Sequence, residues 1–406
     1  MLSRILLIGA LFLLAATGQT AAQLRRQADA LKAKGDAAGA LELDFKAAAA
    51  DPKSPEIEDE IGFLLSVLNR APEAKAHFAR AIELQPAYAP AHFHAGVLLW
   101  LEKDPNRAIP LLQEAVRLAP RVADYRVKLG ISFFEVSHFD ESVTELTAAT
   151  KLDPRDAPAW AALGNSLQQT GKLKEARAAF AKVLEINPND VVARNSYGFL
   201  LVQFREPDKA IAQFRKVLDI DKNNSGARIN LGFTYLELGD FKKAEDEFRA
   251  AIAVDPNSPV AHYNLGLSMK QQDNLEGARK EFEEAIRLDN DLPEAHYSLG
   301  MTVWQLGDFE ETARQMKAAI AQNPAYGEAH YLLGSALKQK GDLDGALKAL
   351  REAARLLPND PGPQNMLGQV LRIQGDIEGS KLAFEEGARI KKTKEAEQAE
   401  ALRHKK

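Results

Sequence analysis

Ser335 and Lys338 stand three residues apart, the spacing at which a lysine accepts the proton of a nucleophilic serine in penicillin-interacting enzymes. The Ser-Asp-Asn and Lys-Thr-Gly runs that complete such a site are absent, so the pair alone predicts no acyl transfer. Asp219, Asp221, Asn223 and Ser225 alternate like the first oxygen ligands of a calcium loop. A calcium loop needs Gly at its sixth position and Glu at its twelfth, where this chain has Asn224 and Asn230. His262, His296 and His330 look most like a metal set, but each follows the last by 34 residues. With helix axes about 8–10 Å apart and two helices per period, such residues cannot share an ion bound at about 2 Å. They are expected to be packing residues, and His92 and His94 form only an isolated pair. The chain has no cysteine, which removes thiolate nucleophiles, disulfides and Cys-type zinc sites together. No phosphate loop, dinucleotide fingerprint, zinc-protease helix or esterase elbow appears. The expectation is a protein without catalytic residues, metal ligands or cofactors.

Charge and the N-terminus narrow the setting. The formal net charge of −5 offers no basic face for nucleic acid. Arg4 precedes an apolar run from Ile5 to Ala16, and Thr20 and Ala22 provide a small-x-small exit. This pattern predicts a signal peptide over 1–22, cleaved after Ala22, and a periplasmic or secreted protein. The run is shorter than the ~20 residues a spanning helix needs, so no stable membrane span is expected after cleavage. An uncleaved N-terminal anchor is the alternative.

The elements that position every other residue follow from one regularity. Gly62, Gly96, Gly130, Gly164, Gly198, Gly232, Gly266, Gly300, Gly334 and Gly368 are spaced by 34 residues. A fixed period of this length means stacked copies of one supersecondary unit. Within a copy such as 259–292, Ala261, Leu265 and Met269 keep helical spacing, Asp273-Asn274 breaks it, and Ala278, Phe282, Ala285 and Ile286 resume it. This predicts an antiparallel helix pair with helices of about 13 residues. Twelve residues after each ladder glycine a small residue recurs, and sixteen after it a large apolar one, such as Ala278 and Phe282. Small against large is how helix ridges interdigitate. Gly239-Asp240, Gly307-Asp308, Gly341-Asp342 and Gly375-Asp376 predict a glycine stop followed by an aspartate cap, with Asp308 and Glu311 at capping-box spacing. One period before Gly62 the register falls on Ala28, which predicts a degenerate first copy.

Trp160, Leu163-Gly164, Ala176, Phe180 and Pro188 together resemble the tetratricopeptide repeat, as do Tyr263, Leu265-Gly266, Ala278, Phe282 and Ala285. The resemblance implies an all-α, right-handed superhelical solenoid of about eleven 34-residue helix-turn-helix repeats with a C-terminal capping helix. The array is expected over 23–394, in register from 55, with 395–406 a charged tail continuing the last helix. The resemblance further implies a concave face lined by first helices that binds an extended peptide or a partner helix.

On that basis the inward positions can be assigned. Three residues before each glycine, or one to four after it, come Phe93, Trp100, Phe134, Phe199, Phe233, Tyr263, Tyr297, Trp304 and Tyr331. Five after it comes a polar row that includes Gln169, Gln203, Gln271, Gln305 and Gln339. Aromatics supply contact area, and glutamine offers both donor and acceptor to a partner backbone. Lys270, Lys338 and Arg372 make the groove more basic toward the C-terminus. The lysine-and-asparagine clamp that some relatives use on a partner's C-terminus is missing, and only Asn230 and Asn264 fit the asparagine ladder of the transferase-associated type. The expected function is an exported interaction scaffold for a protein or peptide partner. The alternative is a recruiting subunit of an envelope enzyme or of polysaccharide or cell-wall assembly machinery.

Overall fold

The computed structural model describes residues 19–403, so the expected signal segment lies outside the described residues as far as residue 18. Among the described residues there are 22 α-helices and no strand. The chain divides into two compact units, the first ending at Ala193 and the second beginning at Arg194. In the first unit, α1 (Ala21–Lys32) pairs with α2 (Ala37–Ala50), α3 (Pro55–Val67) with α4 (Ala71–Leu84), and α5 (Ala89–Leu101) with α6 (Pro105–Leu118). The pairs α7 (Ala123–Glu135) with α8 (Phe139–Leu152) and α9 (Ala157–Gln169) with α10 (Leu173–Ile186) complete it. The second unit holds nearly all of α11 (Val191–Gln203), then α12 (Pro207–Ile220), α13 (Ser225–Glu237), α14 (Phe241–Val254), α15 (Pro259–Gln271) and α16 (Leu275–Leu288). It continues with α17 (Pro293–Gln305), α18 (Phe309–Gln322), α19 (Gly327–Gln339), α20 (Leu343–Leu356), α21 (Pro361–Gln374) and the 27-residue α22 (Ile377–Arg403). Odd-numbered helices are first helices and even-numbered ones are second helices. This is an all-α repeat solenoid, as the period predicts.

Each ladder glycine admits the large side chain of its own repeat. A Cβ on Gly62 would lie 2.6 Å from the Phe78 ring, on Gly130 2.6 Å from Leu146, and on Gly266 2.7 Å from Phe282. The small residue of the second helix closes the same contact and is fully buried at Ala74, Ala108, Ala176, Ala210, Ala244, Ala278 and Ala346. Where a hydroxyl replaces it, the group donates to the ladder carbonyl: Ser142 Oγ to Gly130 O at 2.7 Å and Ser380 Oγ to Gly368 O at 2.8 Å. A buried hydroxyl is tolerated because it is bonded.

The turn inside each pair is a single left-handed residue. Gly35, Gly171, Gly239, Gly307, Gly341 and Gly375 fill this position with positive φ, and so do Asn69, Lys103, Ser137, Arg205 and Asp273. Asp240, Asp308 and Asp342 then cap the second helix by accepting from backbone N–H groups at 3.3, 2.9 and 2.9 Å. The capping box expected at Asp308 is only half made, because the Glu311 carboxylate turns away to Arg314 and Gln315. The reciprocal box occurs instead at Thr20 and Gln23, ahead of α1. That helix begins at Ala21, before the expected cleavage point, and is one residue shorter than the usual first helix of 13.

First helices of neighbouring repeats also touch one another: α3 with α5, α5 with α7 and α7 with α9 in the first unit, and α13 with α15 through to α19 with α21 in the second. Residues at one register on successive first helices therefore form rows along each unit.

Candidate functional site

The row positions are where the sequence places a binding face. In the first unit, Phe93, Trp100 and Phe134 are half-buried and Gln169 is exposed. The Phe93 ring stacks on Tyr125 at 4.4 Å, joining α5 to α7, and Phe134 meets Phe139 edge-on at 5.4 Å. Lys128 lies 3.7 Å over Trp100, and burial lowers the affinity of its amine for a proton. A cleft of about 370 Å³ opens beside Phe63, Phe93, His94, Val97, Leu101 and Lys128.

In the second unit, Phe199 is exposed, while Phe233, Tyr263, Tyr297, Trp304 and Tyr331 are half-buried. Val202 and Gln203 of α11 share a cleft of about 490 Å³ with Phe233 and Glu237 of α13, so neighbouring first helices jointly line the surface. Tyr263 packs on the core Phe282 ring at 5.8 Å, reaches Ser298 Oγ at 3.5 Å, and borders a smaller cleft with Val260 and Leu292. Tyr297 packs on Tyr326 at 4.9 Å and Trp304 on Phe309 at 4.9 Å. Burial raises the Tyr297 and Tyr331 phenols above their ordinary pKa. These aromatics therefore serve the core with one face and leave part of the other free.

The glutamine row is different. Gln169, Gln203, Gln271, Gln305 and Gln339 are all exposed, and none has a side-chain hydrogen bond among the described residues. The asparagines near this surface are occupied: Asn230 donates to Asn195 at 3.0 Å, and Asn264 donates to Val260 O at 2.8 Å.

The motifs that resembled chemistry are used as structure. Ser335 Oγ donates to Tyr331 O at 3.0 Å, while Lys338 donates to Gln369 at 2.6 Å. Asp221 accepts from Asn223 N, and Asn224 caps α13 through Ala227 N. His262 and His330 belong to a staple that the period alone did not reveal, while His296 makes only the forward bond, to Gln315 at 2.6 Å. In several repeats the residue four before the ladder glycine reaches back six residues to a carbonyl: His92 to Pro86, Arg126 to Pro120, Trp160 to Pro154, Arg228 to Lys222, His262 to Pro256 and His330 to Pro324, at 2.9 to 3.2 Å. It also reaches forward nineteen residues to the second helix, as in Arg126 to Glu145 at 2.5 Å and His262 to Glu281 at 2.7 Å. Glu58 with His77 is the same pair with the carboxylate on the first helix and the ring on the second, at 2.7 Å. One side chain thus ties its own pair to the preceding repeat.

A buried charge cluster in the first repeat also escaped the sequence reading. Asp44, 1 % exposed, sits sixteen residues after Ala28, where every later repeat carries a large apolar residue. Burial pushes its carboxyl up to about 6, with Arg25, Lys32, Glu60 and Asp29 around it. The signal was present: extending the register one period back lands on it.

Comparison with known proteins gives the following. Residues 144–259 match the model of the cytochrome c-type biogenesis protein H TPR domain. Residues 64–123, 269–307 and 297–361 match tetratricopeptide repeat models. No curated protein sequence matches the chain. Among solved structures, the chain is similar to the Cut9–Hcn1 hetero-tetramer of the APC/C, with 14% identity over 86% of this chain and 76% of that one, at a TM-score of 0.51. It is similar to PilF of Pseudomonas aeruginosa, with 22% identity over 53% of this chain and 100% of that one, at a TM-score of 0.49. YrrB, described as a TPR protein with an unusual peptide-binding site, shares 25% identity over 46% of this chain and 96% of its own, at a TM-score of 0.41.

Proposed function

Given that the chain belongs to the tetratricopeptide repeat family and is a protein-interaction scaffold, we propose that it holds an extended segment of a partner against the face formed by its first helices, with no catalysis of its own. One observation carries this reading: a row of exposed glutamines without protein partners runs beside half-buried aromatics. An extended peptide has unpaired backbone N–H and C=O groups, and a carboxamide satisfies either. Half-buried aromatics add contact area that needs little further ordering.

The test is site-specific photocrosslinking in the native host. A benzophenone side chain at Gln305 is expected to capture a partner, and one at the exposed Lys317 of α18 is not. Replacing Tyr263, Tyr297 and Trp304 together by Ala abolishes capture at Gln305. Equal capture at Lys317, or capture that survives the triple replacement with helicity intact, overturns the reading.

Export is part of the proposal and rests on Arg4, the apolar run to Ala16 and the small residues up to Ala22. No helix among the described residues is long and apolar enough to cross a membrane. Fractionation followed by N-terminal sequencing of the native protein is expected to find it outside the cytoplasm and beginning at Gln23; a cytoplasmic chain beginning at Met1 contradicts export. A second reading, recruitment of an enzyme or assembly machinery at the envelope, is favoured by the match of 144–259 to a domain from a biogenesis protein. Crosslinking mass spectrometry on envelope fractions separates the two, because a recruiting subunit returns an enzyme as its main crosslinked partner.

A further inference from the structure

The binding face of the second unit is electrically uneven. Lys270, Lys338 and Arg372 occupy one register, four residues after their ladder glycines. The exposed carboxylates Glu294 and Glu328 stand at the opposite ends of the first helices, in the first turns of α17 and α19. Between these edges lie the half-buried Tyr263, Tyr297 and Tyr331.

Lys270 is the unusual member. Other lysines of this unit either pair with a carboxylate, as Lys209 does with Glu206, Lys243 with Asp240 and Lys340 with Glu310, or stand exposed to water, as Lys216, Lys280, Lys317 and Lys348 do. Lys338 has Gln369. Lys270 is half-buried with no hydrogen bond or ion pair among the described residues. Burial alone lowers its proton affinity, and no carboxylate stands near enough to offset it. A desolvated ammonium without a counter-charge is unfavourable, and an apolar side chain would fill the register better, as Val202 and Leu236 do on α11 and α13. Lys270 and Trp304 occupy the same register on the contacting helices α15 and α17.

We propose that Lys270 is the seat for an aspartate or glutamate side chain of the partner, carried within an extended segment whose flanking apolar residues lie on Tyr297 and Trp304. This rests on the reading that the partner is a peptide bound along this face. A side-chain carboxylate is specified rather than a chain terminus because Lys270 offers a single point of charge. Its nearest cation in the row, Lys338, is two repeats away and already bonded to Gln369. A charge-assisted bond formed out of water supplies the counter-charge that the fold leaves out.

The experiment uses a positional-scanning library of amidated dodecapeptides, read by fluorescence polarisation against the full chain and against Lys270→Met and Lys270→Glu. Helicity by circular dichroism confirms that the variants are folded. The wild type is expected to select Asp or Glu at one position with apolar neighbours. Lys270→Met binds the selected acidic peptide roughly tenfold or more weakly, since a bond to a charged group contributes about 1.5–3 kcal/mol. It binds the carboxamide analogue of that peptide as the wild type does, and Lys270→Glu turns the preference toward Lys and Arg. Selection without acidic preference, or an acidic preference unchanged in Lys270→Met, overturns the seat and leaves the peptide face standing. No selection at all, or selected peptides that still bind after Tyr263, Tyr297 and Trp304 are replaced by Ala, overturns both.

Discussion

Two residues with different neighbours show how the ladder works. Gly266 faces the Phe282 ring, which is fixed in the core and cannot retreat, while Gly300 faces the terminal methyl of Met316, the far end of a flexible side chain. Gly266→Ala is therefore expected to destabilise by about 1–3 kcal/mol despite a helix-propensity gain of about 1 kcal/mol. Gly300→Ala is expected to be near neutral or mildly stabilising; thermal and urea unfolding of the two variants compares them directly. Asp44 is the inverse case, a carboxyl where a large apolar side chain belongs. Its folded pKa of about 6 lies above the ordinary 3.8, so the folded form holds the proton more tightly. Stability near α1 and α2 then falls as pH rises from about 4 to about 6 and stays low above that. Asp44→Leu should protect these helices from hydrogen exchange at pH 7.5, by about 2 kcal/mol, and have little effect at pH 4. Equal effects at both pH values would contradict the assignment.

The helix pair is the element, and the left-handed residue in its turn is its most uniform feature. Glycine accepts this conformation without cost, while a residue with a Cβ is strained by roughly 1 kcal/mol. Ser137 and Lys103 adopt it at φ 62 and 64. Ser137→Gly and Lys103→Gly are each expected to raise stability by about 0.5–1 kcal/mol, partly offset by the entropy of the unfolded glycine; chemical denaturation measures the shift. The glycine turns were legible from Gly239-Asp240 and its equivalents, but the same backbone at Arg205 and Asp273 was not. Nothing in those side chains demands a positive φ; the length of the turn imposes it. The capping box at Asp308 failed for a related reason. Spacing shows what Glu311 can reach but not that Arg314 and Gln315 compete for it.

At the scale of the molecule, stability is a sum over repeats and their interfaces. Excising 259–292, one period inside the second unit, joins Ser258 to Pro293 and keeps the register. The shortened chain is expected to retain its helicity per residue and to melt a few degrees lower; loss of cooperative melting would show that the copies are not interchangeable. The period, the helix pairs and the buried small and large positions were written in the sequence. A 34-residue repeat fixes local pattern and register, and these specify how one pair packs on the next. The sequence also nominated the aromatic and glutamine rows, since each inward position is a fixed offset from a glycine. What only the tertiary structure decided is which of those side chains are spent inside the fold. Tyr263 leans on Phe282, Asn264 turns back to its own helix, His92, His262 and His330 staple repeats, and the glutamines and Lys270 are left without partners. Offset in sequence gives a side chain its direction; whether it finds a neighbour depends on the repeats stacked on either side.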